Sequence, residues 1–234
     1  MKHFKSPPTL RVASYNIRKA RGLDQRRNPM RVLNVINGLD ADVVALQEAD
    51  LRLGARPAAI ARDMIARETD FEVAPIARND VALGWHGNAV LVRKGISVGD
   101  VAHLDLPGLE PRGAVRLALS GAFDVDVIAA HLGLIRRHRV QQFETILKQV
   151  DQDRPTVLLG DFNEWSTRRG MEPLVGRFEV HVPGQSFHAR RQIASLDRIA
   201  LSKGLELRHA GVEEGPLARR ASDHLPIWGD IAPA

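Results

Sequence analysis

The sequence predicts an α/β fold, specifically a four-layer α/β/β/α sandwich in which two packed mixed sheets are covered by outer helices. Three observations predict it. Strand-like apolar runs alternate with amphipathic helical runs in both halves of the chain. Several β-like runs follow one another in the middle with few helices between them. The polar residues that interrupt the pattern gather at the C-terminal ends of strands, where α/β architectures place their ligands. With 234 residues, 44% of them hydrophobic, the chain can bury a large core. No low-complexity tract, internal repeat or long Pro/Gly linker divides it, so residues 1–234 are read as one domain with 1–9 as an N-terminal lead.

Taken in order, "LRVASYN" (10–16) is a strand, and "PMRVLNVINGLD" (29–40) is a helix with Pro29 in its first turn and Val32, Val35, Ile36 and Leu39 on one face. "DVVALQE" (42–48) is a short buried strand and "PAAIARDMIARE" (57–68) a second helix. The β-like runs "FEVAPIA", "NAVLVR", "ISVGDVAHL", "GAVRLALS" and "DVDVIAAHLG" follow. "RRHRVQQFETILKQVDQ" (136–152) sets Val140, Phe143, Leu147 and Val150 on one helical face, and "PTVLLGDFN" (155–163) returns as a strand. "LDRIALS", "LELRHAGV" and "PIWGDI" complete the pattern.

Composition narrows the chemistry. There is no cysteine, which excludes disulfides and thiolate metal sites and leaves oxygen and imidazole as the only metal donors. The start "MKHFKSPPTLRVASYN" has no apolar signal core and no stretch approaches a membrane span, so the protein is expected to be cytoplasmic, without a transmembrane segment, and a monomer by default. A net charge of +5 and a pI near 10.1 suit an anionic partner.

The strand ends carry the candidate chemistry. Asn16 closes the first strand, Glu48 the second, His131 the run "VIAAH", and Asp161 with Asn163 the run "TVLLGDFN". Asp197 opens "LDRIALS", and Asp223 and His224 precede "PIW". One such residue is usually a turn former. Eight such residues at six strand ends are a site.

In order, "SYNI" (14–17), "LQE" (46–48), "GNAVL" (87–91), "HLGL" (131–134), "GDFN" (160–163), "SLDRI" (195–199) and "SDHLPI" (222–227) resemble the endonuclease/exonuclease/phosphatase superfamily, the fold of deoxyribonuclease I-like and exonuclease III-like enzymes. "EPRGA" with "HLGL" and "GDFNEW" resembles a compact bacterial branch of it. The resemblance implies that Glu48 is the principal metal ligand with Asn16 beside it and Asp223 near the metal. It implies that Asp161 and Asn163 act at the attacking water and the phosphate, that Asp197 pairs with His224, and that Asn88 lies on the substrate side. Where deoxyribonuclease-type enzymes place a Glu to orient the residue matching His131, this chain has Arg112. Either Glu110 substitutes, or Arg112 contacts the phosphate.

The residue chemistry supports these roles independently. Hydrolysing a phosphodiester requires neutralised oxygens, an activated water and a stabilised leaving oxygen, and Mg²⁺, with Mn²⁺ as a substitute, suits Glu48 and Asp223. Asp161 can take the water's proton while the uncharged Asn163 orients it. Asp197 would hold His224 protonated for donation to the phosphoryl oxygen, with His131 a second imidazole for the same anion. Basic loops at 18–27, 51–56, 135–139, 168–169 and 189–191 follow or precede these strand ends, Arg136 and Trp165 among the residues placed to meet substrate. The expected substrate is an anionic phosphodiester, nucleic acid ahead of a phospholipid or phosphoinositide headgroup. Aromatics are scarce at 5%, and no long apolar hairpin of the kind that enters lipid is visible. A non-catalytic binding module on the same fold is the competing class; such a module would be expected to lack several of the eight residues from Asn16 to His224 that this chain has.

Overall fold

A computed structural model describes residues 8–166 and 169–234. Most of the expected N-terminal lead, and Arg168 of the basic loops, lie outside the described residues.

Along the chain run β1 (Leu10–Asn16), α1 (Pro29–Gly38), β2 (Val43–Gln47), α2 (Arg62–Glu68), β3 (Phe71–Val73), β4 (Ala89–Arg93), β5 (Ser97–Leu106), β6 (Arg112–Ser120) and β7 (Asp124–His131). Then come α3 (Arg136–Leu147), β8 (Thr156–Asp161), β9 (Phe178–His181), β10 (Asp197–Ser202), β11 (Leu205–Val212), α4 (Ala218–Ala221) and β12 (Ile227–Pro233). They form two six-stranded mixed sheets ordered β11-β12-β1-β2-β4-β3 and β5-β6-β7-β8-β10-β9. The four-layer sandwich expected from sequence is what forms.

Alternation along the strands explains the layers. Val12, Val43, Ala45 and Val90 of the first sheet meet Val115, Leu117, Val127, Val157 and Leu159 of the second in a central core. The opposite faces are covered by helices. Ala13, Tyr15, Val44 and Leu46 pack under Val32, Leu33 and Ile36 of α1, while Ile128 and Leu158 pack under Phe143 and Ile146 of α3. The apolar stripe of α1 is the one its periodicity predicts, and Asn28 caps it by accepting from the Arg31 amide at 2.9 Å.

Several elements differ from expectation: α3 ends at Leu147 rather than at 152, and the one-turn α4 was not anticipated. The helix expected over 57–68 begins at Arg62, because 57–61 runs extended from Pro57, pairing Ala58 with Asp50 as an isolated bridge. β9 was not anticipated: "FEVH" alternates for only four residues and reads as a strand only once β10 lies beside it.

Register decides where the site lies. β1 runs parallel to β2 with Asn16 opposite Gln47, and β7 runs parallel to β8 with His131 opposite Asp161. β12, β4, β6 and β10 are antiparallel to these, so their first residues lie at the same edge, with Asp197 directly opposite Asp161. All the connections at that edge therefore surround one place. Gly160 makes part of this possible. Its φ is +150°, and a Cβ there would lie 1.9 Å from the Ala130 carbonyl oxygen of the neighbouring strand.

Candidate active site

The expected strand-end residues meet at this edge, in two groups. The first is centred on Asp161 and is buried. Its Oδ2 accepts from Asn16 Nδ2 at 3.0 Å and lies 3.5 Å from His131 Nε2 and 3.7 Å from His224 Nε2. Its Oδ1 accepts from the Asn163 backbone amide at 2.9 Å, which the left-handed turn at Asn163 (φ 52°) makes possible. The Asn163 side-chain amide donates to the Leu132 carbonyl at 2.9 Å, tying this loop to the one after β7.

His224 stands between two carboxylates. Its Nδ1 lies 2.8 Å from Asp197 Oδ2. Burial alone would lower its pKa, but the charges of Asp197 and Asp161 and the hydrogen bond to Asp197 outweigh burial and push it up to about 9. His131 has the opposite fate: burial dominates and holds it down at about 3, despite Asp161 beside it. At neutral pH the site thus presents one imidazolium and one neutral imidazole.

Asp161, Asp197 and His224 lie close enough together to suggest a metal cage. We read them otherwise. His224 Nδ1 is already engaged by Asp197 Oδ2 at 2.8 Å and Asp161 Oδ2 by Asn16 Nδ2 at 3.0 Å, so these donor atoms are committed to one another. The trio is a buried chain in which His224 lies between two carboxylates, 2.8 Å from Asp197 and 3.7 Å from Asp161. Asp197 is itself held by Ser186, whose hydroxyl donates to Oδ2 at 2.5 Å, and by the buried Arg198, which donates to its carbonyl at 3.2 Å. The ring of Phe187 lies against His224 with centroids 5.0 Å apart. Ser186, Phe187 and Arg198 were not anticipated as site residues. A serine in a polar loop carries no signal of its own, and only the pairing of 187 with 194 and with 224 brings that loop to the site.

The second group is more open. Glu48, in the left-handed region at φ 52°, has its carboxylate against the Lys19 ammonium, with Arg52 at 3.6 Å. Asp223 faces Arg18 at 3.3 Å. Lys19 sits within a run of three left-handed residues, Arg18 to Ala20, which bends the chain after Asn16 back over the Glu48 carbonyl. Strain of this kind persists only where surrounding contacts enforce it. These carboxylates draw in positive charge from three separate side chains. Together with the Asn16 amide oxygen they form a hard-oxygen donor set, so they fit a hard divalent cation.

A cleft of about 290 Å³ opens beside Glu48, walled by Lys19, Arg52, Arg56, His86, Arg112 and His131. Arg112 pairs with Glu110 at 2.7 Å, so both occupants of the divergent segment face the cleft, and the Arg112 Nε is buried without a hydrogen-bond partner.

Other expected residues lie elsewhere. Asn88 is fully buried behind the cleft, its amide donating to the Gly113 carbonyl at 2.9 Å. Arg136 is not free to meet substrate: it forms a two-pronged pair with Glu164 at 2.8 and 3.1 Å, and Arg139 reaches the same carboxylate at 2.7 Å. The basic run 135–139 is therefore largely a clamp between α3 and the loop after β8. Trp165 projects into solvent with its ring edge-on to Phe187, 6.0 Å between centroids.

A sequence model described as the Endonuclease/Exonuclease/phosphatase family matches residues 13–224. The protein YbhP of Escherichia coli K12 is 26% identical over 248 residues, covering 95% of this chain and 96% of its own length. A mannosyl-6-phosphatase of Bacteroides thetaiotaomicron superposes with a TM-score of 0.75 at 19% identity, covering 95% of this chain and 99% of that one. Zebrafish TDP2 complexed with a single-strand DNA product superposes with a TM-score of 0.73 at 15% identity, covering 95% and 98%.

Proposed function

The chain belongs to the endonuclease/exonuclease/phosphatase family, whose members are divalent-metal-dependent phosphoric ester hydrolases, and from that premise we propose that its site hydrolyses an anionic phosphodiester. One observation carries the proposal: a buried Asp161–His224–Asp197 relay stands next to carboxylates at Glu48 and Asp223 that attract positive charge.

Glu48 would hold the divalent cation, Mg²⁺ or Mn²⁺, with Asn16 and Asp223 beside it. When bound, the cation supplies charge neutralisation at the phosphoryl oxygens and at the leaving oxygen. Asp161 accepts the proton of the attacking water, and the Asn16 amide, 3.0 Å away, holds its carboxylate in place. Asn163 fixes the other oxygen of Asp161 through its backbone and so sets the angle of attack. His224, kept protonated between two carboxylates, donates to a non-bridging oxygen as charge builds there, and Asp197 keeps its ring oriented. His131, neutral, donates a hydrogen bond without adding charge. Arg112 lines the cleft beside Glu48, where a second anionic group of the substrate would lie.

Such a constellation is more than a binding module needs, since a buried base and an oriented acid add nothing to affinity alone. The cationic cleft and rim favour an anionic substrate, whether nucleic acid, as in the DNA-bound TDP2 structure, or a phospholipid headgroup. The test is turnover of bis(p-nitrophenyl) phosphate with Mg²⁺, with Mn²⁺ and with EDTA. We expect turnover with either ion and none with EDTA. Undiminished turnover in EDTA would overturn the assignment.

A further inference from the structure

The exposed apolar side chains of this protein are distributed with a marked asymmetry. Among the described residues, every large exposed one except Val175 lies on a connection at the site edge or in the first turn of a helix that follows one. Leu53, Leu109 and Leu134 are 86%, 77% and 65% exposed, and Ile135, Trp165 and Ile193 accompany them. They belong to five different connections, those after β2, β5, β7, β8 and β9. The connections at the opposite edge, 39–42, 94–96, 121–123, 148–155 and 203–204, carry none. Exposed arginines stand close to them in sequence on those same connections: Arg52 beside Leu53, Arg137 after Leu134 and Ile135, Arg190 and Arg191 before Ile193.

Isolated exposed leucines need no explanation, but a collection restricted to the face that carries the site does. Aliphatic tips gain nothing from the phosphates of a nucleic acid, and stacking on unpaired bases would call for several aromatic rings, of which this rim, among the described residues, exposes Trp165 alone. Apolar tips interleaved with arginines and one amphipathic tryptophan match the boundary of an anionic bilayer, where the tips enter the acyl region, the arginines meet headgroup phosphates and the indole sits between. The small cleft beside Glu48 would then face the membrane and admit a single headgroup.

We propose that the site-bearing edge is a docking surface for anionic lipid bilayers, and that the ester hydrolysed is in a phospholipid headgroup. This rests on the phosphodiesterase reading for the chemistry, but not for the docking. The experiment is co-sedimentation with phosphatidylcholine vesicles, with and without phosphatidylglycerol, for the wild type, a Leu53→Ser/Leu109→Ser/Leu134→Ser variant and an Arg137→Gln/Arg190→Gln/Arg191→Gln variant. Bis(p-nitrophenyl) phosphate turnover is measured alongside, together with binding of a single-stranded oligodeoxynucleotide.

The wild type should bind the phosphatidylglycerol vesicles and not phosphatidylcholine alone. The leucine variant should bind them on the order of 100-fold more weakly, and the arginine variant should lose most of its binding as well, both with unchanged turnover of the soluble ester. Equal binding to both vesicle types, or leucine-variant binding equal to wild type, overturns the proposal. Oligonucleotide binding that the arginine variant abolishes, with vesicles ignored by the wild type, would assign the face to nucleic acid instead. Loss of soluble turnover in the wild type with vesicle binding intact would overturn the catalytic reading and leave the docking surface standing.

Discussion

The two halves of the site treat charge in opposite ways. Asp161, Asp197, His131 and His224 are at most 5% exposed, and their partners are set by strand register and by hydrogen bonds from Ser186 and Asn16. The side chains of Glu48 and Asp223 are 18% and 25% exposed, and their partners are the ends of Lys19, Arg18 and Arg52, long side chains that can swing away. The buried half is preorganised and keeps its protons. In the proposed function, the open half is where a divalent cation would displace those ammonium and guanidinium groups. Preorganisation belongs where charge must be stabilised without delay, and exchange belongs where an ion and a substrate must arrive.

The sharpest way to break this contrast is at Glu48. Glu48→Ala should abolish turnover, as EDTA should in the wild type, while the thermal unfolding midpoint stays almost unchanged because Glu48 has no buried partner. A variant that turns over normally would show that the cation is held elsewhere. Next in size is the relay: His224→Ala or Asp197→Ala should lower kcat by about 10²–10³-fold, on the scale of losing one preorganised donor. Higher Mg²⁺ should not rescue either, whereas it should partly rescue Glu48→Gln. The double change at 197 and 224 should cost little beyond the worse single, and clean additivity would show that the two act separately.

Ser186→Ala tests how far the preorganised half extends. It removes one hydrogen bond to a carboxylate, of order 1.5–3 kcal/mol, so kcat should fall by about tenfold or somewhat more, with KM steady. An unchanged kcat would mean that register alone orients Asp197.

The smallest effect is on stability and lies outside the chemistry. Burial would raise the carboxyl of Glu164, but Arg136 and Arg139 overcome this and hold it at about 2, against an ordinary 4.5. A carboxyl depressed on folding contributes stability above its ordinary pKa, which is then lost as pH falls from about 4.5 towards 2. Urea unfolding across that window should therefore show a steeper fall for the wild type than for Glu164→Gln. Equal slopes would mean that the clamp is not a net source of stability.

How much was legible in the sequence follows from how each residue reached the site. Asn16, Glu48, His131, Asp161 and Asp197 sit at or beside the ends of strands whose apolar runs are plain in the sequence, so their convergence could be read from position alone. Ser186 and Phe187 come from a loop with no periodicity, and their place is fixed by bridges to 194 and 224 that no local pattern encodes. Arg136 and Arg139 misled for a related reason: a basic run looks alike whether it faces solvent or a buried carboxylate, and Glu164 is 25 to 28 positions away from them. The apolar rim was invisible because its members are one or two residues in each of five connections. They become a surface only when register brings those connections to one edge.

Gly160 sets a limit of a different kind. Because a methyl group there would collide with the backbone of β7 at Ala130, one residue before His131, the spacing between His131 and Asp161 depends on a side chain that does not exist. A library randomised over 158–163 and selected for activity on any ester whatever should return a single letter at 160. The position before Asp161 is closed to any side chain.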